Sequence, residues 1–445
     1  MRLPFLLFLL AGAALADDAL TVRQAVGNAL AKHPAIEAGA AGVKAAESRI
    51  AQAKGASLPR VSYTEAWMRS NNQVYVFGSL LTQQQFTPAN FDINFLNGPG
   101  FLNNFQSQVT VDQTIYDNGF RKSQVESARI GRDMAGEENR KTEMQVIAGV
   151  LRSYYSAAVA QDRIRVADEA MRSAEADLKR AETRLSAGVT TNADVLALRV
   201  HAAATKEQRI RRGYELDMAR AELNQAMGLP LDAKYDLTTA LKPAGAVTLD
   251  RGAIENEAAA GRPETREAQL ALKIGEEQRK AARAAMLPEF YFRAGFEADR
   301  QRFVTRGGAN WLASAGLRWT LFDGGADRAR MAEVRHETEQ RAAQARLAES
   351  YTRLEARRAT LDFESANQRL EVTRAAIAMA EESLRIIRNR YESGLTDVTE
   401  LLRSETAMVE ARSRDIEAVR DQVMAAVALE SARGQLTKNS ELVNR

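Results

Sequence analysis

The stretch NWLASAGLRWTLFDGG (Asn310–Gly325) changes its periodicity part-way, and the change decides how the chain folds. Trp311, Ala313, Ala315, Leu317, Trp319 and Leu321 alternate with Leu312, Ser314, Gly316, Arg318 and Thr320, the period of a strand with one apolar face. After Asp323-Gly324-Gly325 come 68 residues, 326–393, with neither proline nor glycine and rich in Ala, Glu, Arg and Leu. A continuous helix of that length is about 100 Å long at 1.5 Å per residue. The stretch therefore reads as strand, corner, rod. Asp323 suits the helix N-cap, and Gly324 and Gly325 suit the positive φ angles of a tight turn.

The pattern occurs twice, so internal duplication governs the reading. DQTIYDNG (Asp112–Gly119) repeats the corner, with Asp117 and Gly119 standing 206 positions before Asp323 and Gly325. RLSAGVT (184–190) matches RYESGLT (390–396) at the same offset, whereas Pro34 and Pro59 match Pro263 and Pro288 at an offset of 229. The 23-residue difference falls between Pro59 and Tyr116, mostly in a loop at 70–104 that would sit at the cell surface. Phe363, Leu370, Ile377, Leu384 and Tyr391 recur every seven residues and align with Ala157, Ile164, Met171, Leu178 and Leu185. A strict heptad imposes a left-handed supercoil, so the rods pack as coiled coil.

The expected organisation is a leader at 1–16, a first repeat at 17–234 and a second at 235–445. In the first repeat, strands at about 59–70 and 105–116 precede a long helix at about 119–187 and a turn at 188–192. In the second, a segment at about 229–262 is followed by strands at about 288–299 and 310–322, a long helix at about 326–392 and a turn at 393–398. The leader has Arg2, an apolar block Leu3–Leu10 and an A-x-A site at Ala14–Ala16, the marks of a secretory signal. No cysteine occurs, which excludes disulfides, thiolate metal sites and a lipidated N-terminal cysteine. The formal charge of +3 gives no case for nucleic acid, and no later run of eighteen apolar residues exists.

All three tryptophans, Trp67, Trp311 and Trp319, fall on the apolar faces of the strands. That distribution suits the aromatic girdle of a membrane β-barrel; a soluble sandwich packed on its apolar face would alternate in the same way. If the strands face lipid, four per chain cannot close a barrel, because open edges are not tolerated there and about eight strands are the minimum. Several chains must then contribute.

Catalytic chemistry has no residues to stand on. His33, His201 and His336 lack metal-ligand spacing and read as solvated helix-surface or turn residues, and there is no P-loop, G-x-S-x-G or H-E-x-x-H. No cofactor or metal is expected. In RLSAGVTTNADVL (184–196) and RYESGLTDVTELL (390–402), a glycine ends one helix and Asp194 or Glu400 falls inside the next, where an acid suits the macrodipole. These turns read either as plain helix hairpins or as an exposed functional tip about 100 Å from the strands by helix length.

The ordered, duplicated motifs resemble the TolC-like family of outer-membrane efflux proteins over nearly the whole chain after the leader. The resemblance implies a mainly α fold with a small β part. Long coiled-coil helices of a homotrimer would form an α-barrel in the periplasm, and four strands per chain a twelve-stranded transmembrane β-barrel in the outer membrane of a Gram-negative bacterium. It further implies a passive exit duct in a tripartite efflux or type I secretion system, with a periplasmic adaptor and an inner-membrane pump as partners. Carried onto this sequence, Arg184, Gly188, Val189, Arg390, Gly394 and Leu395 are the adaptor-contacting tips. Asp194 and Tyr391 match residues that hold the mouth closed, and Glu400 matches an acid of the narrowest ring. Thr396 and Arg403 replace a basic and an acidic residue of the pattern, and Arg403 stands where it can pair with Glu400. The competing function is a soluble periplasmic coiled-coil adaptor or scaffold, which needs one hairpin and no Trp-bordered strands.

Overall fold

The structure, a computed structural model, describes residues 19–245, 250–305 and 307–444; the leader read at 1–16 lies outside them. The first half contains β1 (Ala19–Leu20), α1 (Val22–Lys32), α2 (Pro34–Gly55), β2 (Arg60–Ser70), α3 (Gln73–Thr82), α4 (Ile93–Asn97), β3 (Leu102–Tyr116), α5 (Phe120–Ser186) and α6 (Asn192–Met227). The second contains β4 (Asp236–Leu237), α7 (Arg251–Gly261), α8 (Pro263–Ala285), β5 (Glu289–Arg300), β6 (Gly308–Arg318), α9 (Ala326–Glu392) and α10 (Val398–Ala432). Both long helices, α5 and α9, run for 67 residues, as the absence of breakers in the second copy demands. Two compact units result, and each draws on both sequence repeats: 1–42, 136–267 and 346–445 form one, 43–135 and 268–345 the other.

The second unit is built on a four-stranded antiparallel sheet in the order β2-β3-β5-β6. Its register sets Trp67 opposite Phe105, Val109 opposite Phe296 and Phe296 opposite Trp311, so aromatic residues from all four strands meet on one face, while Tyr291 lies on the other. That face is largely bare: Val61 and Tyr63 are 65% exposed and Trp311 80%. Among the polar residues on it is an Arg300–Glu65 pair at 3.0 Å joined by the Ser107 hydroxyl. The opposite face carries Arg293 with Asp112 and Arg318 with Glu289. Trp319 departs from expectation. The ladder ends at Arg318, and the Trp319 indole N–H donates to the Met286 carbonyl at 3.2 Å instead of continuing the strand.

The 70–104 insertion, read as a loop, is a small helical cap. Val76, Leu80 and Leu102 are buried with Phe86 and Phe95 against them, and Phe77, Phe86 and Phe91 meet edge to face. It is seated on the polar face of the sheet: buried Gln83 donates to Asn104 Oδ1 at 2.9 Å, Asn104 donates to Asp299 at 2.6 Å, and Asn310 donates to the Thr82 carbonyl at 3.3 Å.

The first unit holds the main core. Tyr154, Leu151, Leu223, Met227, Phe363, Val423 and Leu436 are all within 1% of fully buried. Short parallel strands β1 and β4 pair beside it, and the Tyr154 hydroxyl ties them together by donating to the Leu20 carbonyl at 2.8 Å and accepting from Thr239 N–H at 3.0 Å. The heptad seam is buried at Ala157, Phe363 and Leu370 and only half-buried at Ile164, Met171, Ile377 and Leu384.

Candidate functional site

The turns joining α5 to α6 and α9 to α10 are built alike. Gly188 adopts φ +75° and Gly394 φ +73°. Val189 N–H bonds the Arg184 carbonyl at 2.9 Å and Gly188 N–H that of Leu185 at 2.9 Å; in the second turn Leu395 bonds Arg390 at 2.8 Å and Gly394 bonds Tyr391 at 3.0 Å. These are Schellman closures, which require a left-handed residue at the glycine and close the last carbonyls of the helix. The motif R-x-x-x-G-(Val/Leu) is thus a backbone device whose apolar last residue is thrown outward: Val189 is 64% exposed and Leu395 69%. No atom lies within 4 Å of where a Cβ on either glycine would sit.

The next helices are capped by different residues. Thr191 and Asp194 form a capping box on α6, in which Asp194 also accepts from the Thr190 hydroxyl at 2.9 Å. The Thr191 hydroxyl, more than any other neighbour, holds the Asp194 carboxyl below its usual range. On α10 the cap is Asp397, which accepts from Glu400 N–H at 3.0 Å. Between the turns, Ala181, Val195, Leu198 and Val398 are buried together, with Tyr391 packed against them. The Arg184 guanidinium lies 5.6 Å from the centre of the Tyr391 ring, a cation–π contact, and burial pushes the phenol pKa up. Arg184, Asp194 and Tyr391 therefore gather in one place. Thr396 is half-buried, and Arg390, Glu400 and Arg403 are exposed. The expected pairing of Arg403 with Glu400 does not form: Glu400 follows directly on the Asp397 cap, and both side chains stay in solvent.

A second group of charges carries no sequence motif. Asp177 on α5, His201 on α6, Arg388 on α9 and Glu405 on α10 converge, with side-chain exposures of 4% for Asp177 and 8% for Glu405. Arg388 donates to Glu405 at 2.8 Å and to the Ser173 hydroxyl at 3.1 Å, and His201 Nε2 lies 3.5 Å from Glu405. Arg180 pairs with Asp177 Oδ1, while Asp177 Oδ2 is buried with no hydrogen-bond partner. Burial, and after it the adjoining Glu405, push Asp177 up to about 6. Burial opposes the charge on Glu405 as well, but the neighbouring His201, Asp177 and Arg388 side chains outweigh it and hold that carboxyl at about 2. His201 is consequently not the solvated surface residue that its sequence position suggests; its side chain is 21% exposed and faces a carboxylate. A cavity of 350 Å³ opens beside the group, lined in part by Ser173, His201, Thr205, Leu384, Arg388 and Glu405. At the 206-residue offset, Ser383 and Arg199 stand where Asp177 and Glu405 have their counterparts, so a search for repeated motifs passes the group by. Its only signal in sequence is an acid on the helical side of each of two rods, and solvated faces give the same signal.

In the other unit, the corners after the strands match atom for atom. Asp117 accepts from Gly119 and Arg121 N–H, both at 3.1 Å, and Asp323 from Gly325 and Asp327 N–H at 2.9 and 2.6 Å. Gly119, Gly324 and Gly325 all have positive φ. Among the described residues, no group of His, Asp or Glu is arranged to hold a metal, and no helix is long and apolar enough to cross a membrane.

The outer membrane efflux protein family matches the chain over residues 25–229 and 255–435, one segment in each repeat. The chain belongs to this family. Protein CyaE of Bordetella pertussis is 28% identical over 429 residues, covering 95% of this chain and 86% of that one. The fold is also that of CusC, with a TM-score of 0.78, 17% identity and coverage of 93% of this chain and 92% of that one. The open-state MtrE outer membrane channel of Neisseria gonorrhoeae gives a TM-score of 0.76 at 14% identity, with coverage of 94% and 90%. As a member of the outer membrane efflux protein family, the chain is an outer-membrane channel reaching into the periplasm and not an enzyme. The soluble adaptor reading is thereby set aside.

Proposed function

We propose that three copies of this chain form the exit duct of a tripartite efflux or type I secretion system, passing substrate from the helix tips through a shared barrel to the outside. The open sheet carries this reading. Strands β2 and β6 are each paired on one side only, and the tryptophan-bearing face is exposed. Unpaired edges beside an apolar face suit neither water nor lipid, and three four-stranded sheets joined edge to edge satisfy both at about twelve strands. The helices also offer surfaces to a neighbouring copy. Leu196, Val200, Ile210 and Tyr214 are exposed at heptad spacing on α6, and Leu347, Tyr351, Leu354, Val372 and Met379 on α9. Protein extracted from outer membranes is expected to run as a detergent-resistant trimer and to conduct ions in planar bilayers; a monomer recovered in the soluble periplasmic fraction would overturn the proposal.

The tips are the proposed docking surface for a periplasmic adaptor, itself linked to an inner-membrane pump that supplies the energy. Exposed Val189 and Leu395 beside side-chain-free Gly188 and Gly394 offer a flat apolar seat, with Arg184 and Arg390 next to it. Gly188→Arg or Gly394→Arg adds bulk to open space and is expected to abolish export while trimer abundance, read on unheated gels, stays near wild type. Loss of the trimer would instead make these glycines structural only.

Glu400 is the proposed constriction residue, repeated three times about the axis, with Asp194, Tyr391, Thr396 and Arg403 around the mouth. A ring of unpaired carboxylates draws cations and binds multivalent ones tightly. Glu400→Gln channels are expected to lose most of their cation preference and their block by a trivalent cobalt ammine. Unchanged selectivity and block would remove Glu400 from the constriction.

A further inference from the structure

The charged group of Asp177, His201, Arg388 and Glu405 takes one residue from each of four helices and thereby ties one tip hairpin to the other. Arg412 on α10 adds a second cross-tie, bonding Glu169 on α5 at 2.7 Å and Glu381 on α9 at 3.4 Å. Two of the acids, Asp177 and Glu405, are buried against the same Arg388 nitrogen, which lies 2.8 Å from Glu405 and 3.9 Å from Asp177 Oδ2, too far to donate to the latter. A buried carboxylate oxygen with no donor is costly beside a second carboxylate; the same oxygen carrying a proton becomes a donor and its neighbour accepts. Among the described groups around Asp177, the other charged or titratable neighbours are Arg180 and Arg184 on its own helix and Arg388, Tyr391 and Glu392 on α9, which line one cavity with it, and His201 on α6 reaches Glu405 rather than Asp177.

We propose that Asp177 is the proton-operated element of a latch: in its acid form it donates to Glu405 and holds the α5–α6 hairpin against the α9–α10 hairpin, and its ionisation as the periplasm approaches neutrality releases the tip. This rests on the reading of the tips as the channel mouth and adds a control to it. Asp177 binds its proton more tightly in the latched state than a free carboxyl does, so the latch is fully favoured below the ordinary carboxyl range and weakens as pH rises through about 6. Glu405, held down at about 2, stays ionised as acceptor throughout that window. With Asp177 moved from 3.8 to about 6, the latched-to-released ratio is about fourfold higher at pH 5.5 than at pH 7.5 for each protomer.

The absence of cysteine makes a direct test available. Nitroxide labels on Ala187→Cys and Ser393→Cys, equivalent positions in the two turns, report the separation of the hairpins in the detergent-purified trimer. The distance distribution is expected to be narrow at pH 5.5 and to gain a longer component at pH 7.5. Adding Asp177→Asn, which donates without titrating, is expected to keep the short distance at both values, and His201→Ala is expected to leave the pH response in place. In planar bilayers, acid on the tip side should lower the open probability by at least the per-protomer factor. An unchanged distribution in the otherwise wild-type protein overturns the latch, as does a full pH response in Asp177→Asn or its disappearance in His201→Ala. If the labels respond but no current is found, the latch stands and the channel-mouth reading falls.

Discussion

Gly228→Ala and Gly434→Ala are each expected to destabilise the protein by about 2–5 kcal/mol and to deplete the trimer, whereas Gly188→Ala loses only about 1–2 kcal/mol. These three glycines and Gly394 each end a long helix in the left-handed conformation, with φ between +69° and +75°, so all four alanine variants share the strain of an L residue there. What separates them is space. A Cβ on Gly228 would stand 2.9 Å from the Lys32 carbonyl oxygen, and one on Gly434 would stand 2.8 Å from the backbone of Gly261. At both places the end of a rod is pressed against the end of a short helix, α1 under α6 and α7 under α10, and backbone cannot yield as a flexible side chain can. Melting temperatures of the four purified variants in one detergent provide the measurement. Equal losses at Gly188 and Gly228 would mean that conformational strain alone, and not this close approach, sets the cost.

Tyr154→Ala should be comparably severe, at about 3–5 kcal/mol for emptying an aromatic site with further loss from the stranded polar groups. The ring is fully buried, and its hydroxyl is the shared partner of the Leu20 carbonyl and the Thr239 N–H. Tyr154→Phe separates the two contributions, since it keeps the packing and removes both bonds. A loss of about 1–3 kcal/mol is expected for it, the cost of leaving a buried donor and acceptor unmet. Thermal unfolding followed by circular dichroism, with trimer content read on gels, checks both. A Phe variant as damaged as the Ala variant would show that fastening β1 beside β4 matters more than the core itself.

Much of this molecule is visible in one dimension because it is long and repetitive. Two 67-residue helices follow from runs of strong helix formers, and the strand-to-helix corners follow from Asp117 and Asp323 each set two residues before a glycine. The tip glycines are legible for the same reason, since a Schellman closure is a local structure of six residues with an obligatory left-handed position. The 70–104 insertion reads as a loop in sequence because the apolar residues that fold it, Val76, Leu80 and Leu102, meet only when the segment doubles back on the strand that follows. His201 reads as solvated in sequence because helical periodicity says which side of a helix a residue occupies, not whether another helix covers that side.

Sequence alone determined the elements, their duplication and the chemistry that the chain lacks, because strand alternation, helix propensity and turn glycines act over a few residues each. Tertiary structure alone decided which charges lose water. The acids on α5 and α10 look no different from the dozens around them until four helices close over Asp177 and Glu405. Desolvation depends on neighbours more than 200 residues away in the chain; it raises the Asp177 carboxyl to about 6, while the polar partners brought to Glu405 outweigh its burial and hold it at about 2.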